Sequence, residues 1–174
     1  MDRFLTLGFS RPKHSWLPLS FIIRKVQNTT YSHVYVVMDS QYLERKIVFQ
    51  ASGFVVNFSS YKRLQEHNEI IKEYKIPITK NTQKQVLQFA FDKAGAPYGM
   101  RQILGMGWAL LLERLTGKRR NPLDDDGRSY VCSEIVAEIL KDYVGLAVNI
   151  DTDVITPKDV FAIVSVIGTP SLIK

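Results

Sequence analysis

The feature that most constrains this chain is the stretch Ser129-Tyr130-Val131-Cys132-Ser133-Glu134-Ile135-Val136-Ala137-Glu138-Ile139-Leu140, which places its only cysteine at the start of a helix. From Cys132 onward Ile135, Val136, Ile139, Leu140 and Tyr143 recur at helical spacing, and Gly145 stands where such a helix would stop. Upstream, Asp124-Asp125-Asp126-Gly127 reads as a loop, so the thiol belongs to the first turn, where backbone N–H groups lack helical partners. The partial positive charge of that end favours a thiolate and offers donors to an oxyanion. Cys132 is therefore a candidate nucleophile. The alternative is a buried thiol acting as a small hydrophobe, and a partner base decides between them.

The run Tyr31-Ser32-His33-Val34-Tyr35-Val36-Val37-Met38 is rich in β-branched and aromatic residues and predicts a strand. Its alternation puts His33 with Tyr35 and Val37 on one face and Ser32, Val34, Val36 and Met38 on the other. Lys46 to Ala51 and Phe54 to Phe58 read as two more strands, broken at Ser52-Gly53. If the strands carrying His33 and Gln50 are antiparallel neighbours, Gln50 falls beside His33. There its amide can fix one imidazole tautomer and leave the other nitrogen to take the thiol proton.

The rest of the chain supplies a frame. Phe4 to Phe9 reads as a first strand, and Trp16 to Val26 as a helix capped by Ser15 with Leu19, Ile22, Ile23 and Val26 on its apolar face. Tyr61 to Asn68 has a weak helical pattern, and Ile70 to Ile78 alternates as a strand. A further helix, capped by Asn81 or Thr82, carries Val86, Leu87, Ala90, Phe91 and Ala94 on one face and closes at Gly95. Gly95-Ala96-Pro97-Tyr98-Gly99 is a turn that presents a tyrosine. The apolar segment at about 100–117 follows, either a packed helix or a flap near the cysteine that touches an acyl chain, a membrane surface or a protein. Ile155 to Val160 reads as a turn and Phe161 to Ile167 as a closing strand.

At 174 residues, 45% of them hydrophobic, the chain is expected to form one domain over 1–174. A lone cysteine makes no intrachain disulfide. Met1 to Phe9 is acidic at its second residue and breaks at Arg11-Pro12-Lys13-His14, unlike a secretory signal. The apolar run from Ile103 to Leu112 is too short to span a bilayer, so the expected location is the cytoplasm or a phage virion. The net charge of +6 is scattered rather than gathered into a stripe interleaved with aromatics, which argues against nucleic acid as a partner. His14, His33 and His67 show no metal-ligand spacing with one another or with Cys132, and Gly105-Met106-Gly107 is not a phosphate loop.

Taken in order, Tyr31-Ser32-His33-Val34, Val48-Phe49-Gln50-Ala51 with Gly53, Gly95-Ala96-Pro97-Tyr98, Tyr130-Val131-Cys132-Ser133-Glu134 and Thr156-Pro157-Lys158-Asp159 resemble the circularly permuted NlpC/P60 group of papain-like proteins, the YiiX-like subfamily. In that group the histidine precedes the cysteine, as here. The resemblance implies an α+β papain-like fold, an antiparallel sheet packed on the cysteine helix, with 100–117 as an apolar insertion. It also implies Cys132 as nucleophile, His33 as base and Gln50 as the orienting residue, with Tyr98, Tyr31 and Ser133 as substrate-binding candidates. Many relatives carry glutamate where this chain has Gln50, and aspartate where it has Gly99. Glutamine orients an imidazole but does not balance imidazolium charge. The expected activity is a cysteine-dependent hydrolase or acyltransferase acting on an amide or ester, in a peptidoglycan stem peptide, another peptide or a lipid or N-acyl compound. It needs no metal or organic cofactor. The alternative is a non-catalytic papain-like binding or structural module, such as a virion component.

Overall fold

The computed structural model describes residues 3–14, 18–40, 43–118, 121–123, 128–146 and 151–171, and of 18, 19, 104, 111 and 114 the backbone alone. The expected Ser15 cap and the Asp124–Gly127 loop lie outside these residues. The architecture is α+β. Six strands, β1 (Arg3–Pro12), β2 (His33–Ser40), β3 (Arg45–Ser52), β4 (Val55–Ser60), β5 (Asn68–Ile78) and β6 (Thr169–Pro170), form one antiparallel sheet in the order β4-β3-β2-β1-β5-β6. The helices are α1 (Pro18–Gln27), α2 (Tyr61–His67), α3 (Lys80–Lys93), α4 (Met100–Thr116), α5 (Cys132–Glu138) and α6 (Pro157–Ile167). Helix α5 runs straight on into a wider π-type turn, Ile139–Tyr143, so the apolar periodicity from Cys132 to Tyr143 is used as one packing face.

Strand alternation divides the apolar residues between two cores. Val34, Val36 and Met38 of β2 join Leu5, Leu7 and Phe9 of β1 in the larger core, against α5, α3 and α6. Tyr35 and Val37 point the other way and meet Val48 and Leu64 in a smaller core under α2. Two sequence expectations are corrected here. Phe161 to Ile167 is helical, not a closing strand. Its β-branched content suggested a strand, but Thr156 and Asp159 form a reciprocal capping box ahead of it and Pro157 occupies the first turn. Helix α3 is capped by Thr79, whose hydroxyl accepts from the Thr82 N–H, and it buries Val86, Phe89 and Ala90 while Phe91 is left 68% exposed.

The segment 100–117 is a packed helix. Its Gln102 donates to the Ser129 carbonyl at 3.1 Å, and the Asn121 amide bonds to the Gln102 and Asp153 carbonyls, both at 3.3 Å. Asn121 comes so close to α4 that a methyl group at Gly105 would overlap its side-chain oxygen. Met100, Trp108 and Leu115 remain exposed on the far side. Among the described residues no helix is long and apolar enough to cross a membrane.

The α6 cap offers a direct check. Thr156 is buried and its hydroxyl donates to Asp159 at 2.7 Å as well as capping the helix. Thr156→Ala is expected to lower unfolding free energy by about 1–2 kcal/mol in urea denaturation. An unchanged midpoint would show that the cap is dispensable.

Candidate active site

The β2–β3 register sets the site. Val36 pairs with Phe49, and pairing continues to Ser40 and Arg45. Near the start of β2 the chains are close enough for the His33 Nε2 and Gln50 Oε1 atoms to lie 2.8 Å apart. The Gln50 Nε2 group donates to Ser59 Oγ at 3.4 Å, which turns the amide oxygen toward the ring. A neutral His33 therefore carries its proton on Nε2, donated to Gln50, and keeps the Nδ1 lone pair as the basic site.

Cys132 approaches from the large-core face. Its thiol, 5% exposed, is met by the N–H of Val34, the residue after His33, by its own amide and that of Ser133, and by the Tyr98 hydroxyl. The imidazole is not among the thiol's hydrogen-bond partners. The Val34 N–H that meets the sulfur belongs to the residue after His33, where β2 has not yet begun its pairing with β3. The approach of the cysteine is fixed locally. The Glu134 carboxylate turns back to accept the Val131 N–H at 3.1 Å, and Tyr98 and Tyr130 form a short parallel bridge that holds the preceding segment. The Lys93 ammonium donates to the Tyr130 hydroxyl, lies 4.4 Å from the ring centroid, and is 4.0 Å from Glu138.

Burial governs the electrostatics. It pushes the Cys132 thiol above its ordinary value, an effect that the Val34, Ser133 and Cys132 amides and the Tyr98 hydroxyl oppose in part. It pulls the His33 imidazole below its ordinary value of 6.5, against the opposite effect of the Gln50 bond. Both shifts favour neutral partners, so the resting pair is thiol and imidazole rather than thiolate and imidazolium. The thiolate-favouring effect expected of a helix start is outweighed by desolvation.

The remaining sequence candidates divide. Tyr98 is at the thiol, and burial, with the Cys132 thiol adding, raises its hydroxyl well above the ordinary value, so it stays a donor. Ser133 lies beside the thiol, but its hydroxyl is committed to the Ile155 carbonyl at 2.7 Å, which leaves its amide free to act. Tyr31 stacks on Phe161 and tilts against Phe9, with centroids 5.1 and 5.2 Å away. Burial, with Tyr74 and Asp159 adding, pushes its hydroxyl up to about 12.

Next to Cys132 a cavity opens between α1 and α4. Its walls are mainly apolar: Ile22 and Val26 from α1, and Ile103, Met106 and Leu110 from α4. The α1 contribution was hidden in the sequence, because Ile22 and Val26 at helical spacing look like an ordinary core face. Part of that face lines a cavity instead of a neighbour.

No protein-family model and no curated protein matches the chain in sequence. The metalloprotein yiiX from Escherichia coli O157:H7 matches it in structure, with a TM-score of 0.67 and 17% identity over 99% of this chain and 97% of that one. The chain has a YiiX-like fold.

The neutral pair gives a signed expectation. Iodoacetamide should label native Cys132 more slowly than a free thiol at pH 8, and labelling should accelerate only above the ordinary thiol value of 9.0. Rapid labelling at pH 6 that disappears in His33→Ala would instead show a stable ion pair at rest.

Proposed function

We propose that this protein is a cysteine-dependent hydrolase or acyltransferase of the permuted NlpC/P60, papain-like type, acting on amides or esters whose acyl group is apolar. The observation that carries this reading is the apolar cavity opening at a buried thiol, with an oriented imidazole one residue along the adjoining strand. The YiiX-like fold and the chain order His33, Gln50, Cys132 support it.

In this mechanism the substrate carbonyl enters beside Cys132 with its acyl chain between α1 and α4. As the sulfur attacks the carbonyl carbon, His33 Nδ1 takes the thiol proton. The Gln50 oxygen holds the ring through Nε2–H. The Cys132 and Ser133 amides and the Tyr98 hydroxyl supply donors for the developing oxyanion. Collapse breaks the bond to the amine or alcohol, which leaves with the proton from His33. Water or another acceptor then attacks the thioester, giving its proton to His33, and the thiol is regenerated. Because the base works in its neutral form and burial lowers its value, activity is lost as pH falls through that lowered value and persists through neutrality.

The neighbour yiiX is a metalloprotein. Among the described residues here, no three His, Cys, Asp or Glu side chains come together to hold an ion, and the third polar residue beside Cys132 and His33 is the amide Gln50. These residues do not fit a metal centre.

A series of 4-nitrophenyl esters of increasing acyl length tests the reading. Turnover is expected to rise about three- to fourfold per added methylene until the cavity fills, the increment for burying one CH₂. Cys132→Ser should abolish it, and His33→Ala should lower it about 100- to 10,000-fold. Met106→Trp should move the optimum toward shorter chains. Absence of turnover on esters, acyl amides and muropeptides alike, with fatty acid bound in the cavity, would make the protein a binding module.

A further inference from the structure

On the sheet face opposite α5, a carboxylate is buried that the proposed chemistry does not use. Glu73 of β5 is 2% exposed, and both the Tyr35 and Tyr61 hydroxyls donate to its Oε1, at 3.0 and 2.9 Å. Among the described residues no lysine, arginine or histidine lies within ion-pair distance of it. An acidic group held this way is costly unless a positive charge is available nearby.

The backbone has been shaped to bring this carboxylate toward β2. Gly8 of β1 is paired with Tyr35 on one side and Glu73 on the other. A methyl group at Gly8 would overlap the Tyr35 ring, so the missing side chain lets the phenol cross β1 and reach β5. The same Tyr35 ring stacks against His33, with centroids 6.0 Å apart and planes inclined at 26°. One aromatic side chain thus links the buried carboxylate to the candidate base.

We propose that Glu73, acting through Tyr35, is a positioning residue for His33 that supplies the negative charge Gln50 lacks. The inference rests on His33 serving as the base. Proton transfer from Cys132 creates an imidazolium at a half-buried position whose hydrogen-bonded partner is a neutral amide. Glu73 provides a fixed anion on the same sheet face, screened from water by α2. The charged groups on this face include Asp39 of β2, cross-strand from Lys46, and at its rim Lys46, 5.0 Å over the Tyr61 ring, and Lys75, 5.7 Å over the Phe4 ring. The remaining groups nearest His33 are Gln50, Ser10 directly across β1, and Cys132, whose sulfur meets the Val34 N–H.

The test is an NMR titration of His33 in the full chain, its signal assigned among the three histidines by loss in His33→Gln. Glu73→Gln keeps an oxygen for both phenols and removes the charge. It should lower the His33 midpoint by about one pH unit, as expected for loss of one charge across protein of moderate effective dielectric. Tyr61→Phe removes a bond to the same carboxylate without touching the His33 neighbour and should leave the midpoint in place. An unchanged midpoint in folded Glu73→Gln, or an equal drop in Tyr61→Phe, overturns the proposal. If Glu73→Gln does not fold, Glu73→Met removes the same charge with an apolar side chain of similar length, with the same drop expected and an unchanged midpoint again decisive against it. The titration needs no substrate, so its failure is distinct from failure of the hydrolase reading, which shows instead as no effect of His33→Ala on turnover or labelling.

Discussion

The pleat of β2 is the constraint on which this molecule depends. A strand must send consecutive side chains to opposite faces. Val34 and Val36 therefore pack on the cysteine helix while His33 and Tyr35 face α2. A thiol and an imidazole arriving from opposite sides can meet only where the sheet is open. The β2–β3 pairing begins at Val36, leaving the Val34 N–H to face sulfur instead of a neighbouring carbonyl. The site occupies a gap in the ladder, and its position follows from register.

Much of this was legible because the relevant signals are local. Strand alternation assigned the faces of β2, and an antiparallel β2–β3 pair was enough to bring Gln50 to His33. The helix beginning at Cys132 followed from spacing. What was missed was set by competition or by distance. The α6 region has strand-like composition, yet a capping box and a proline at its start decide for helix. The Phe89-for-Phe91 exchange on α3 reflects a rotation of the packed face that periodicity alone leaves open. The cavity depends on α1 standing away from α4, and the Glu73 network on three strands and a helix. No window of sequence contains either.

The electrostatic character differs from that expected of an exposed catalytic thiol. Desolvation favours the neutral forms of the buried sulfur and the half-buried imidazole, and the imidazole's hydrogen-bonded partner is an amide. Reactivity in such a place is conditional. In the proposed reaction charge appears only when a substrate supplies an electrophile, and between encounters a neutral buried thiol reacts slowly with oxidants and alkylating agents.

Gly107 shows how such a site can diversify. It lines the cavity from α4, yet a Cβ built on it meets nothing within 4 Å. Replacing a helical glycine by alanine generally strengthens the helix. Lengthening that side chain would shorten the cavity without disturbing the sheet, the cysteine or the histidine. In the proposed reaction the acyl length accepted can therefore shift by single substitutions at one helical position.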